Sequence, residues 1–113
     1  MQAPQQAALL RIYTEESARD SGKPLYEAIV LKAREAGLAG ATVLRGPMGF
    51  GQSARIHNAN ILDLSANLPM VIEIVDAEEK LRAFLPTLDH MRDIGLVTFE
   101  KVEVAHYGKR RGD

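Results

Sequence analysis

Apolar residues fall along the chain in runs whose spacing switches between a strand period and a helix period. Leu9–Tyr13 (LLRIY) is short, apolar and β-branched at its centre, which predicts a first strand. The preceding Gln2–Ala7 is polar, Gln-rich and interrupted by Pro4, so residues 1–8 are expected to form a disordered tail. Thr14–Lys23 is dense in Glu, Ser, Asp and Gly and reads as a loop. Pro24 suits the first position of a helix, where its missing N–H forfeits no hydrogen bond. Leu25, Ala28, Ile29, Lys32, Ala33 and Ala36 then share one side at helical spacing, and Gly37 suits the left-handed residue that ends a helix. Leu31 lies off that stripe and points to a second packed surface, such as a contact with another subunit.

Gly40–Leu44 returns to strand character before Arg45-Gly-Pro-Met-Gly-Phe-Gly breaks any regular strand. A polar stretch then runs to about Asn67, interrupted by Ile61, Leu62 and Leu64. Met70–Val75 (MVIEIV) predicts a strand with one face less buried, because Glu73 breaks the apolar run. Asp76 and Glu79, three residues apart, form a capping-box-like pair for a second helix with the stripe Leu81, Phe84, Leu85, Leu88 and Met91. Pro86 inside that run predicts a kink or two short helical pieces, and Gly95 closes it. Leu96–Phe99 and Val102–Val104 make the last strand, where a slip in alternation predicts a bulge near Glu100 and Lys101.

The order β-α-β-β-α-β predicts an α+β, ferredoxin-like domain: a four-stranded antiparallel sheet, both helices on one face, and a long loop between strands two and three. The domain is expected over residues 9–107, followed by a basic tail at 108–113. With one sheet face left open, apolar residues on it need a partner, and oligomerisation supplies one.

Composition narrows the function classes. With 113 residues the chain has the size of one domain. A net charge of −1 gives no overall pull toward nucleic acid, and the basic run Lys109-Arg110-Arg111 is short. The absence of cysteine excludes disulfide and thiol chemistry. No 18 apolar residues run together and the first residues lack a signal-peptide pattern, so a cytoplasmic location is expected.

The long loop is where chemistry is expected, in the segment Arg45–His57. Gly46, Gly49 and Gly51 let the backbone turn tightly and present N–H groups to an anion, while Arg45 and Arg55 can fork onto phosphate or carboxylate oxygens. Gln52, Ser53 and His57 add polar side chains, and Phe50 can stack on a base or plug a gap between subunits. The same composition also describes a plain mobile loop. It lacks the Lys-Ser/Thr end of a P-loop. His57, His90 and His106 are too far apart in sequence for a metal motif, and Ser17, Ser21, Ser53 and Ser65 have no neighbouring base. Glu15 and Glu16 read as solvated carboxylates. No metal site and no enzymatic activity are therefore expected.

The sequence resembles the PII-like family catalogued as domain of unknown function 190. The likeness runs from about Leu9 to Tyr107 and rests on LRIY at 10–13, GKPLYEAI at 22–29, GLAGATVLRG at 37–46 and MGFG at 48–51. It continues through IH at 56–57, LP at 68–69, IEIVD at 72–76 and GLVT at 95–98. The resemblance implies a homotrimer with ligands, such as adenine nucleotides, in clefts between subunits beside the base of the long loop. It implies a signalling protein that acts on a partner through that loop. Gly49-Phe50-Gly51 matches the Gly-Phe-Gly-Arg-Gln stretch of PII proteins, with Gln52 and Ser53 in place of its Arg and Gln. Asp93-Ile94-Gly95-Leu96 stands where PII proteins carry a basic, Gly-rich turn. Members of the family are associated with fluoride exporters, which implies a membrane transporter or channel as partner. The alternative is a metal- or ion-tolerance protein similar to CutA, using His57 or His106 with carboxylates.

Overall fold

The computed structural model describes residues 6–51, 56–58 and 67–108. Strand β1 (Gln6–Glu15) alternates so that Ala8, Leu10, Ile12 and Thr14 are buried on one face. It starts inside the tail expected for residues 1–8, because Gln6, Ala7 and Ala8 pair with Glu103, Val102 and Lys101 of the last strand. The expected loop at 14–23 instead contains a small hairpin, β2 (Arg19–Asp20) and β3 (Lys23–Pro24). Its turn residues Ser21 and Gly22 both take positive φ, 50° and 84°, as a two-residue type I′ connection requires.

Helix α1 (Leu25–Glu35) follows, with Pro24 one position earlier than expected, at the N-cap. It buries Leu25, Ala28, Ile29 and Ala33, while Leu31 is 40% exposed. Gly37 ends it with φ 77°. Strand β4 (Thr42–Arg45), the short pair β5 (Met48–Gly49) and β6 (His57–Asn58), and strand β7 (Pro69–Asp76) come next. Ile61, Leu62 and Leu64 lie outside the described residues. Helix α2 (Glu78–Asp89) and strand β8 (Leu96–Glu103) complete the chain.

Two local expectations around α2 are corrected. Pro86 sits inside a continuous helix, so the two-piece reading does not hold. Burial of Leu81, Phe84 and Leu88 against the sheet keeps the helical path despite the lost bond. Asp76 does not cap α2, whose N-cap is Ala77. Its carboxylate is 2% exposed and accepts the Ala77 N–H at 2.7 Å and the Ala39 N–H at 2.9 Å, tying the end of β7 to the loop after α1.

The main sheet has the order β4-β7-β1-β8 with every neighbouring pair antiparallel, the arrangement of a ferredoxin-like split βαβ fold. The register of β8 on β1 is unbroken from Gln6↔Glu103 to Tyr13↔Leu96, so no bulge exists at Glu100 and Lys101. The slip in alternation has another cause. Val97 and Phe99 pair with Ile12 and Leu10 on the helix-covered face, whereas Val102 pairs with Ala7 on the other. Both faces of β8 carry apolar residues.

Leu10, Ile12, Leu25, Ile29, Ile72, Ile74 and Leu81 are fully buried between helices and sheet. Each such side chain contributes on the order of 1.5–3 kcal/mol by leaving water. The open face holds Leu9, Tyr13, Val71 and Val75 half-buried, and Leu44 and Leu96 exposed. Its polar centre is Arg11, whose guanidinium meets its cross-strand neighbour Glu73 at 2.9 Å and Glu100 at 3.7 Å. The hydrogen bond to Glu73 raises the Arg11 pKa above its ordinary value, so the group stays cationic at any physiological pH.

Candidate functional site

β4 leaves the sheet at Arg45, and the next residue anchors the exit: the Gly46 N–H donates to the Pro69 carbonyl at 2.8 Å. Gly46 and Gly49 both lie against the Pro69 ring. A Cβ would lie 3.0 Å from its Cγ at Gly46 and 3.2 Å at Gly49, tight enough that the ring would have to shift by a few tenths of an ångström to admit it. Beyond them β5 and β6 pair Met48 with Asn58 and Gly49 with His57, forming a ribbon at the root of the loop. The ribbon leaves Phe50 72% exposed.

The far end of the sheet supplies the opposite wall. The Gly95 N–H donates to the Tyr13 carbonyl at 2.8 Å, and the Thr14 hydroxyl donates to the Asp93 carbonyl at 2.8 Å. Asp93 is held at φ 68°, a left-handed conformation that Asp tolerates better than most residues. Asn67 braces the floor: its side-chain amide donates to the Glu15 carboxylate at 2.9 Å, and its oxygen accepts the Ser17 N–H at 2.8 Å.

Between these walls lies an open cleft of about 1010 Å³. Gly49, Phe50 and Gly51 bound it on the loop side, and Asp93, Gly95 and Leu96 on the turn side. Tyr13, Glu15 and Pro69 at the ends of β1 and β7 form its base. Apolar and aromatic residues share the lining with Glu15 and Asp93, and among the described residues lining it no Lys, Arg or His is present.

The structure thus brings together part of the segment singled out from sequence. Gly49, Phe50 and Gly51 line the cleft, Gly46 anchors the loop exit, and His57 pairs through its backbone with Gly49. Gln52, Ser53 and Arg55 lie outside the described residues. Arg45 does not line the cleft. Its register partner is the buried Met70, and its guanidinium pairs with Glu16 at 3.3 Å, on the helix-covered side. Tyr13 and Glu15 entered the cleft without a sequence signal, because nothing in their spacing tells which strand ends converge. Asp93, Gly95 and Leu96 belong to the turn that stands where PII proteins carry their Gly-rich turn, so the family resemblance pointed to them.

Two other hollows occur among the described residues. One lies by Glu78, Lys101 and Glu103. The other lies under the C-terminal segment, where the Tyr107 hydroxyl donates to the Ala39 carbonyl at 2.7 Å. No group of three or more His, Cys, Asp or Glu side chains able to hold a metal ion occurs among the described residues. No helix among them is long and apolar enough to cross a membrane.

The fold defines the class: an α+β protein of the ferredoxin-like, split βαβ type. CPII, a nitrogen regulatory PII-like protein from Thiomonas intermedia K12 whose structure holds ADP, AMP and bicarbonate, superposes with a TM-score of 0.61 at 18% identity, covering 89% of this chain and 90% of CPII. A second CPII structure, bound to ADP and bicarbonate, gives 0.56 at 19% identity, with coverage of 89% and 90%. Residues 7–104 match DUF190, described as "Uncharacterized ACR", and the chain belongs to that family. A UPF0166 protein of Aquifex aeolicus is 42% identical over 98 residues, 87% of this chain and 92% of the relative. Another, from Methanocaldococcus jannaschii, is 36% identical over 92 residues, 80% of this chain and 84% of the relative.

Proposed function

We propose that this protein is a PII-like regulator without catalytic activity, which takes an adenine nucleotide in the cleft beside Gly49–Gly51 and relays its occupancy through the long loop to a partner protein. The observation that carries this reading is that Gly49, Phe50 and Gly51 are at once the root of the loop and a wall of the cleft. A ligand wedged there restrains the loop, and order gained by the loop is what a partner reads. The walls suit a flat ring: Phe50 and Leu96 are exposed apolar groups facing one space, with Tyr13 at its base. CPII, of the same fold, is described bound to ADP and AMP. The cleft offers carboxylates and backbone amides, and its Thr14 hydroxyl is committed to the Asp93 carbonyl, an arrangement poor in nucleophiles.

Assembly as a homotrimer belongs to the same proposal and is supported by the apolar open face of the sheet, where Leu44 and Leu96 are about half exposed. Light scattering would give three times the 12.4 kDa chain mass. A monomer at micromolar concentration would end the trimer reading. The ligand reading is tested by calorimetry and thermal melting with adenine nucleotides. A ligand at 100 times its Kd stabilises the native state by about 2.7 kcal/mol, and the melting temperature rises accordingly. No heat and no shift with any adenine nucleotide at millimolar concentration would overturn it.

A further inference from the structure

The chain leaves β8 at Glu103, which pairs with Gln6 on one edge of the main sheet. Four residues later the Tyr107 hydroxyl donates to the Ala39 carbonyl at 2.7 Å, just before β4 begins on the opposite edge. Three strand spacings, about 14 Å, separate the two edges. Four residues span at most about 14 Å, so segment 104–107 runs nearly straight and the long tyrosine side chain completes the crossing. It crosses on the open face: Thr42, Glu73 and Val75 of that face line a hollow of about 460 Å³ together with Val104, His106 and Tyr107. Ala7 agrees, being 7% exposed where Leu9, Arg11, Tyr13 and Glu15 on the same face of β1 are only half-buried.

Little else holds the segment down. Among the described residues no backbone hydrogen bond ties 104–108 to the sheet, and Ala105, His106 and Tyr107 are exposed. Gly108, at φ 74°, turns the chain directly after Tyr107. Ala39, by contrast, is gripped twice: its N–H donates to the buried Asp76 carboxylate at 2.9 Å and its carbonyl accepts from Tyr107. The strand beyond it, β4, has four register pairs with β7, and the Gly46 N–H closes its other end on the Pro69 carbonyl at 2.8 Å. So short an edge strand opens easily unless its ends are held.

We propose that segment 104–108 is a strap, latched by the Tyr107 hydroxyl on the Ala39 carbonyl, that sets how readily β4 and the loop root behind it open. When the strap is closed, Asp76 and Tyr107 together hold the entry to β4. When it is released, Asp76 holds that entry alone and the strand opens more often, from Ala39 through Gly46. The C-terminal segment thereby acts on the long loop from the far end of the strand that feeds it. This device goes beyond the nucleotide reading and does not depend on what the cleft binds.

Amide hydrogen exchange of the full chain, parent against Tyr107→Phe, tests this. The phenylalanine keeps the ring and removes only the donor. In the parent, amides from Ala39 through Gly46 should exchange faster than those of Leu10 and Ile12, because β4 opens without the whole fold. In the variant they should exchange about threefold to tenfold faster still, the effect of one lost hydroxyl bond. The β2–β3 hairpin opens without breaking the latch, so its amides should stay within about twofold of the parent. Tyr107→Ala, which removes the ring as well, should accelerate the same segment at least as much. Unchanged exchange from Ala39 through Gly46 in the phenylalanine variant overturns the latch, whatever the alanine variant does. Acceleration confined to Ala39, or shared equally by the hairpin, overturns the control of β4. So does a parent in which β4 exchanges only as slowly as Leu10 and Ile12, since Tyr107 then stabilises the whole fold and not one strand.

Discussion

The Thr14 hydroxyl donates to the Asp93 carbonyl at 2.8 Å across 79 positions of sequence, and so joins the end of β1 to the turn that opens β8. Thr14 is 6% exposed, whereas Asp93 stands at the surface with φ 68°. One buried hydroxyl thereby holds an uncommon backbone conformation at the rim of the cleft. Thr14→Val removes the donor with little change of volume and should cost about 1 kcal/mol in urea denaturation. Thr14→Ser, which keeps the donor, should retain more of the nucleotide affinity than the valine variant. Equal affinities in the two variants would show that this bond does not shape the site.

Asp76 ties two more distant pieces, accepting the N–H groups of Ala39 and Ala77 from a position 2% exposed. Asp76→Ala leaves both donors without their acceptor and should lower stability by about 2–3 kcal/mol. Asp76→Asn keeps one acceptor oxygen and should lose less. Denaturant midpoints at constant slope are the measurement.

Gly46→Ala sets a methyl group 3.0 Å from the Pro69 Cγ, at the point where the loop leaves the sheet. Some shift of the Pro69 ring or of β4 must follow, with an expected loss of about 1 kcal/mol. At Gly51 a Cβ meets nothing within 4 Å among the described residues, and Gly51→Ala should stay within about 0.5 kcal/mol of the parent. The contrast between the two, read by thermal melting, separates steric need from mere loop composition.

Arg45→Ala removes an exposed ion pair with Glu16, 59% and 30% accessible at the two side chains. Such pairs contribute about 0.2–1 kcal/mol, and the stability change should fall in that range. Because Arg45 does not line the cleft, nucleotide affinity should change less than about twofold. A tenfold loss would place Arg45 at the ligand after all.

Much of the fold was legible from periodicity. The strands around Leu9–Tyr13 and Met70–Val75, the α1 stripe through Leu25, Ile29 and Ala33, and the order of elements all follow from burying one apolar face. The misreadings came where a local signal had two meanings. Asp before a helix suggested a cap, yet Asp76 reaches across to Ala39. Val102 out of phase suggested a bulge, yet it marks an apolar second face on a strand in unbroken register. Pro86 suggested a break, yet packing carries the helix through it.

The sequence by itself determined the class of fold, the length of the loop and the concentration of glycine at its root. These depend on residue type and spacing within one segment. Only the tertiary structure decided which groups share the cleft, because strand pairing brings Tyr13 and Glu15 beside Gly49–Gly51 and Asp93–Leu96 from three distant stretches. It also turned Arg45 to Glu16, since pleating sends alternate residues of β4 to opposite faces. A segment that reads as basic in sequence therefore borders a cleft whose described charges are acidic.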